Sequence, residues 1–219
     1  MLCCSLTAMA NHRHVQTLKN GWKFSRTDDA AAVQVTFDDS HWQAVSVPHD
    51  WAIYGPFDAT NDRQHVAIEQ DGQKEALAHA GRTGGLPFVG VGWYRLQFTA
   101  PEFAEGRRAT LLFDGAMSHA RVWINGHELG YWPYGYNAFY FDVTPYLNIG
   151  GENTLAVRLE NFEESSRWYP GAGLYRNVHL IVTDELAVKM WGTYVTTPVV
   201  RDNFAKVNVQ VEVDVPEDI

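Results

Sequence analysis

The chain is expected to fold as an all-β sandwich or barrel, and three observations carry that expectation. Short segments alternate apolar and polar residues with a period of two. Gly, Asn, Asp or Pro bounds each of them. No segment sustains the 3.6-residue periodicity of a helix. Strands that follow one another without intervening helices exclude a doubly wound parallel sheet.

The clearest strand is Trp93-Tyr94-Arg95-Leu96-Gln97-Phe98-Thr99, with one face apolar and the other wet. Ala109-Thr110-Leu111-Leu112-Phe113 and Ala120-Arg121-Val122-Trp123-Ile124 follow. Asn125-Gly126 then separates Val122-Trp123-Ile124 from Glu128-Leu129-Gly130-Tyr131. Both turn residues tolerate φ > 0, so this is the strongest hairpin signal in the chain. Thr154-Leu155-Ala156-Val157-Arg158-Leu159 and Val178-His179-Leu180-Ile181-Val182 are further strands. Residues 28–32 and 74–80 have room for a turn or two of helix. Residues 48–91 and 161–173 lack regular pattern, although Asp71-Gly72 could turn a small hairpin between 65–69 and 73–76. Patternless stretches of that length in a compact domain are usually functional or docked.

The pattern restarts near Thr183-Asp184-Glu185. Residues 187–196 predict one strand, and Val207-Asn208-Val209-Gln210-Val211-Glu212-Val213 alternates strictly, one face buried and one wet. Two strands do not make a stable independent fold. The expected organisation is therefore a tail over 1–14, a sandwich over 15–183, and the start of a truncated second β-domain over 184–219.

Composition narrows the function. Seventeen basic and 26 acidic residues give a net charge of −9, with no basic run to neutralise phosphates, which argues against nucleic acid. The two cysteines, Cys3 and Cys4, are neighbours and cannot staple the fold. Residues 1–10 end in Thr7-Ala8-Met9-Ala10, like the cleavage end of a secretory signal, so a periplasmic or secreted location is expected. No stretch reaches transmembrane length. Gly90-Val91-Gly92 precedes a strand rather than opening a helix, so it is not a dinucleotide loop. His12 and His14 lack ligand partners nearby, and no metal or cofactor is expected. Glycoside hydrolysis needs two carboxyl groups across one bond. The carboxylates here lie at turns and on wet faces, and adjacent Glu163-Glu164 would not flank a bond, so no catalytic residue is assigned.

Aromatic residues make up 13% of the chain, including eight Trp. Most belong in a core. Two clusters stand apart: Tyr131-Trp132-Pro133-Tyr134-Gly135-Tyr136-Asn137, and Arg167-Trp168-Tyr169-Pro170-Gly171-Ala172-Gly173. Rings offer apolar faces to sugar C–H groups, and Arg and Asn offer hydrogen bonds to hydroxyls. An aromatic loop packed on its own sandwich would have the same composition.

Six separated elements resemble the N-terminal sugar-binding domain of family 2 glycoside hydrolases, the family of β-galactosidase and β-glucuronidase. They are Pro48-His49-Asp50-Trp51, Gly90-Val91-Gly92-Trp93-Tyr94-Arg95, Phe113-Asp114-Gly115, Val122-Trp123-Ile124-Asn125-Gly126, Tyr140-Phe141-Asp142-Val143-Thr144, and residues 167–176 from Arg167-Trp168-Tyr169 to Leu174-Tyr175-Arg176. Residues 81–87 look like versions from gut Bacteroidetes. The resemblance implies a jelly-roll, galactose-binding-like sandwich, then an immunoglobulin-like domain, then a (β/α)8 barrel bearing both glutamates of a retaining mechanism. The full-length protein would then hydrolyse terminal β-linked sugars, while this chain alone would be inactive. The implied partners are a β-galactoside or related glycan, the chain's own C-terminal domains, and a homo-oligomeric copy. The resemblance places Asn137 and Arg167 at the sugar subsite, with Tyr136, Trp168, Tyr169 and Asp50 as accompanying substrate-binding candidates. Arg167 departs from the Asp that the best-known β-galactosidase carries there. A guanidinium donates but cannot accept or bind a cation. A stand-alone lectin-like module, and a β-glucuronidase or β-mannosidase domain, are the alternative readings.

Overall fold

The computed structural model describes residues 13–58, 61, 88–163, 165 and 168–216, and the backbone of 64–66 and 77–79. The strands are β1 (His14–Thr17), β2 (Trp22–Ser25), β3 (Gln43–Val45), β4 (Gln64–Val66), β5 (Leu77–His79), β6 (Gly90–Thr99) and β7 (Arg108–Phe113). They continue as β8 (Ala120–Ile124), β9 (His127–Trp132), β10 (Phe139–Asp142), β11 (Glu152–Asn161), β12 (Val178–Thr183), β13 (Ala187–Arg201) and β14 (Phe204–Asp214). Helical structure among the described residues is limited to short 3-10 turns, such as Ala30–Val33, which Asp29 caps by accepting from the Ala31 amide.

Two antiparallel sheets face each other. One has the order β1-β12-β7-β10 and the other β3-β2-β6-β11-β8-β9. Alternation along each strand sends one set of side chains inward. Tyr94 and Leu96 of β6, Leu155, Val157 and Leu159 of β11, and Val122 and Ile124 of β8 meet Leu111 and Phe113 of β7 and Val178, Leu180 and Val182 of β12. Each fully buried large apolar side chain contributes about 1.5–3 kcal/mol. The hairpin at Asn125-Gly126 forms as expected, with φ of 51° and 83°.

Strand β6 is buried on both faces, so Arg95 is not on the expected wet side. The segment 28–42 folds over the outer face and builds a second small core from Ala32, Trp42, Trp93 and Ala156. Arg95 is 0% exposed beneath it. Its Nε lies 2.8 Å from Asp39 Oδ2, its Nη1 donates to the Gln34 carbonyl at 3.0 Å and to the Ala32 carbonyl, and its guanidinium sits over the Phe37 ring.

Three other expectations change. Residues 77–79 are strand β5, paired with β4, and not helix. The strands of that small hairpin lie further apart in sequence than 65–69 and 73–76, and Asp71-Gly72 falls outside the described residues. β13 and β14 pair with each other, but Val207, Val209, Val211 and Val213 are all exposed, so the ribbon has no buried face here. Its base is fastened to the sandwich. Trp191, at a bulge in β13 with φ 56°, packs edge-on against Tyr140 of β10 at 5.1 Å. Arg108 pairs with Asp214 at 3.8 Å, and Arg13 donates to the Val188 carbonyl at 3.0 Å. Among the described residues no helix is long and apolar enough to cross a membrane.

Candidate functional site

Four connections interlock at one end of the sandwich. They follow β3, β7, β9 and β11. Met117, after β7, exchanges backbone hydrogen bonds of 2.9 Å in both directions with Gly173, after β11. His119 N donates to the Pro133 carbonyl, and His49 N donates to the Leu174 carbonyl. The Tyr175 hydroxyl donates to the Gly135 carbonyl at 2.8 Å. Asn161 Nδ2 donates to the Gly171 carbonyl at 3.1 Å. Buried backbone groups that find partners this way tie the described parts of these loops to one another.

Two glycines lie where these loops touch, and position 173 has no room for a side chain. At Gly173, with φ +90°, a Cβ would collide with the Tyr94 hydroxyl and lie 2.6 Å from the His49 carbonyl. At Gly135 it would strike the Met117 side chain.

Five of the six candidate side chains lie on these loops and are described. Asp50 accepts from the Ala52 amide at 2.9 Å through Oδ1 and from the Tyr169 hydroxyl at 2.8 Å through Oδ2. Burial, followed by the carboxylate beside it, pushes the Tyr169 phenol well above its usual range, so it donates and stays neutral. Trp168 Nε1 donates to the Tyr136 hydroxyl at 2.7 Å, while the Trp168 ring stays 58% exposed. Asn137 Oδ1 accepts from Trp132 Nε1 at 2.9 Å. That bond aims the amide, whose Nδ2 makes no hydrogen bond among the described residues. The structure thus ties Asp50 to Tyr169 and Trp168 to Tyr136. Arg167 lies outside the described residues.

The residues that hold this arrangement were not among the candidates. His49 Nδ1 is 2.7 Å from the Tyr94 hydroxyl, beneath the loops. Burial drives the His49 imidazole below its ordinary pKa and the Tyr94 phenol well above its own. The sign follows from linkage. The unfolded chain protonates this histidine near pH 6.5 and the folded chain only at lower pH, so stability falls as pH drops below about 6.5 and levels off below the folded value. Urea titrations at pH 7.5 and 5.5 should show this loss in the wild type and a smaller one in His49→Asn. Equal losses would remove His49 from the account. Among the described residues, no group of three His, Cys, Asp or Glu is placed to hold a metal ion.

A two-sheet sandwich that presents rings, an amide and a carboxylate from the loops at one end is by class a β-sandwich module. The family model for the sugar-binding domain of family 2 glycosyl hydrolases matches residues 15–184, and the chain belongs to that family. It is 39% identical over 207 residues to β-galactosidase BoGH2A of Bacteroides ovatus, which covers 94% of this chain and 22% of that protein. A solved β-glycosidase from Bacteroides vulgatus superposes with a TM-score of 0.77 at 30% identity, covering 93% of this chain and 24% of that one. A solved Bacteroides uniformis β-glucuronidase gives a TM-score of 0.74 at 28% identity, covering 92% and 22%. The chain therefore spans less than a quarter of the length of these relatives.

Proposed function

We propose that this chain is the non-catalytic N-terminal sandwich of a retaining exo-β-glycosidase that removes terminal β-linked sugars, with β-galactosides preferred. The observation that carries the reading is the interlocked loop end, where Trp168, Tyr169, Tyr136 and Asn137 are exposed yet held by hydrogen bonds. In the full-length protein these side chains, with Arg167, close the sugar subsite of a barrel that supplies both catalytic glutamates. Contacts to hydroxyls that tighten in the transition state lower the barrier without touching the scissile bond. Asp50 acts as a positioning residue, because both of its oxygens are already engaged. The β13–β14 ribbon is the opening of a second, immunoglobulin-like β-domain whose remaining strands cover the exposed valines. Thr7-Ala8-Met9-Ala10 supports a periplasmic or secreted location.

Galactose is preferred over glucuronic acid because the 39% identical relative is a β-galactosidase, whereas the β-glucuronidase above is 28% identical. Assays of the full-length protein on nitrophenyl β-galactoside, β-glucuronide and β-mannoside should give the highest kcat/KM for the galactoside, and this chain alone should turn over none. Turnover of the glucuronide but not the galactoside would refute the substrate. Hydrolysis by the chain alone would refute the non-catalytic role. Arg167→Ala in the full-length protein should lower kcat/KM by the equivalent of about 1–3 kcal/mol, the scale of a charge-assisted hydrogen bond. An unchanged specificity constant would make that loop merely structural.

A further inference from the structure

A cavity of about 440 Å³ lies beside edge strand β3 and the segment from Pro48 to Tyr54. None of Tyr136, Asn137, Trp168 and Tyr169 lines it. Its volume falls in the range of small-ligand pockets, about 300–1,000 Å³.

The wall chemistry is specific. Tyr54 is 75% exposed, more than any other Phe, Tyr or Trp among the described residues. Ile53 beside it is also exposed. Both sit on the short 3-10 turn Ala52–Tyr54. That turn is held from beneath, since Asp50 Oδ1 accepts from the Ala52 amide and the Tyr54 ring lies nearly parallel to His49, which the Tyr94 hydroxyl anchors. An aromatic face fixed in advance on a rigid turn loses little entropy when a ligand covers it.

The polar groups complete the picture. Gln43 lines the cavity from β3, and its amide makes no hydrogen bond among the described residues, leaving two donors and an acceptor. His49 Nε2 is likewise without a partner among them, and burial keeps the ring neutral near pH 7. Among the described residues the lining holds one carboxylate, Asp50, and no Lys or Arg. An anionic ligand would meet that carboxylate with no Lys or Arg of the described lining to offset it. The combination of one apolar platform with scattered neutral donors and acceptors matches a pyranose ring, which has an apolar C–H face and a rim of hydroxyls.

We propose that this cavity is a second saccharide site, on the side of the loop after β3 that carries Tyr54 and apart from the Tyr136, Asn137, Trp168 and Tyr169 side chains, which takes a neutral hexose unit of a glycan with its C–H face on Tyr54 and its hydroxyls toward Gln43 and His49. The site goes beyond the hydrolase reading, because its test is binding by this chain and not turnover.

The 219-residue chain should be titrated with the neutral β-linked trisaccharides galactotriose, cellotriose and mannotriose, and with β-1,4-linked triglucuronate, the C6-oxidised form of cellotriose, as the charged counterpart, read by saturation-transfer NMR. At least one neutral trisaccharide should bind at millimolar concentration, and triglucuronate should not. Tyr54→Ala should weaken that binding at least tenfold with an unchanged thermal transition, since the ring is exposed. Gln43→Ala should weaken it at least threefold. Tyr194→Ala, which removes an exposed ring of β13 outside the cavity, should leave it unchanged. Failure of all three neutral probes, preference for triglucuronate, or loss with Trp168→Ala but not with Tyr54→Ala would each overturn the proposal. If the full-length protein fails to hydrolyse aryl glycosides, the hydrolase reading falls and these titrations still decide the cavity.

Discussion

Gly173→Ala is expected to destabilise the chain by about 3–5 kcal/mol, the largest effect of any single methyl added to the loop end. Two costs combine. The backbone at φ +90° suits glycine, and an L side chain there is strained by about 1–3 kcal/mol. The new methyl also collides with the Tyr94 hydroxyl and the His49 carbonyl, and neither can retreat. Tyr94 is fully buried in the core, and the His49 backbone is fixed by its bond to Leu174. Overpacking of this kind costs a further 1–3 kcal/mol or so. Relief requires Gly173 to part from Met117, which separates the loops after β7 and β11. Gly171→Ala is the control. Its φ of +79° carries similar strain, but the Cβ would meet only the Asp50 carboxylate at 3.3 Å. It should lose about 1–2 kcal/mol. Urea denaturation measures both. A Gly173→Ala variant within 1 kcal/mol or so of wild type would show that the loops are not interlocked as described.

Arg95→Met should cost about 3–5 kcal/mol, because it leaves the Asp39 carboxylate and the Ala32 and Gln34 carbonyls without their donor. The loss should come with exposure of Trp42 and Trp93, visible as a red shift in tryptophan emission before global unfolding, since the 28–42 segment depends on this guanidinium. Arg95→Lys should recover only part of it, as one ammonium cannot reproduce a fork that reaches a carboxylate and two carbonyls. The Arg121–Glu128 pair is a contrast. Its side chains are 50% and 46% exposed, and its removal should change stability by less than about 0.5 kcal/mol. If Arg95→Met proves equally mild, the outer layer is held by its apolar contacts alone.

Arg95 also marks where the sequence stopped being informative. Alternation identified β6 as a strand and assigned its odd residues to solvent. What buries them is a segment without periodicity, and burial by an irregular segment leaves no pattern to detect. The Asn125-Gly126 hairpin was legible because two adjacent residues set its geometry. The ring pairs were not. Asp50 and Tyr169 are 119 positions apart, and Trp168 and Tyr136 are 32 apart, so only the closed fold brings them together. The aromatic clusters could be located from composition, but whether the rings would be exposed or packed away depended on hydrogen bonds made across loops. In β14 the strict alternation correctly gave a strand and the side its valines share, but that side is uncovered among the described residues, because alternation records which side chains share a side and not whether anything covers that side.

The fastening of β13 and β14 has a mechanical consequence. The 15 residues of β13 reach on the order of 50 Å at about 3.3 Å per residue. Trp191 on Tyr140, Asp214 on Arg108 and the Val188 carbonyl on Arg13 all grip the end nearest the sandwich. The ribbon is therefore a cantilever clamped at its root. A rotation of about 5° at the clamp moves the turn at Asp202 by roughly 4 Å over that length. Whatever seats against the far end takes its alignment from one indole, one guanidinium pair and one main-chain bond.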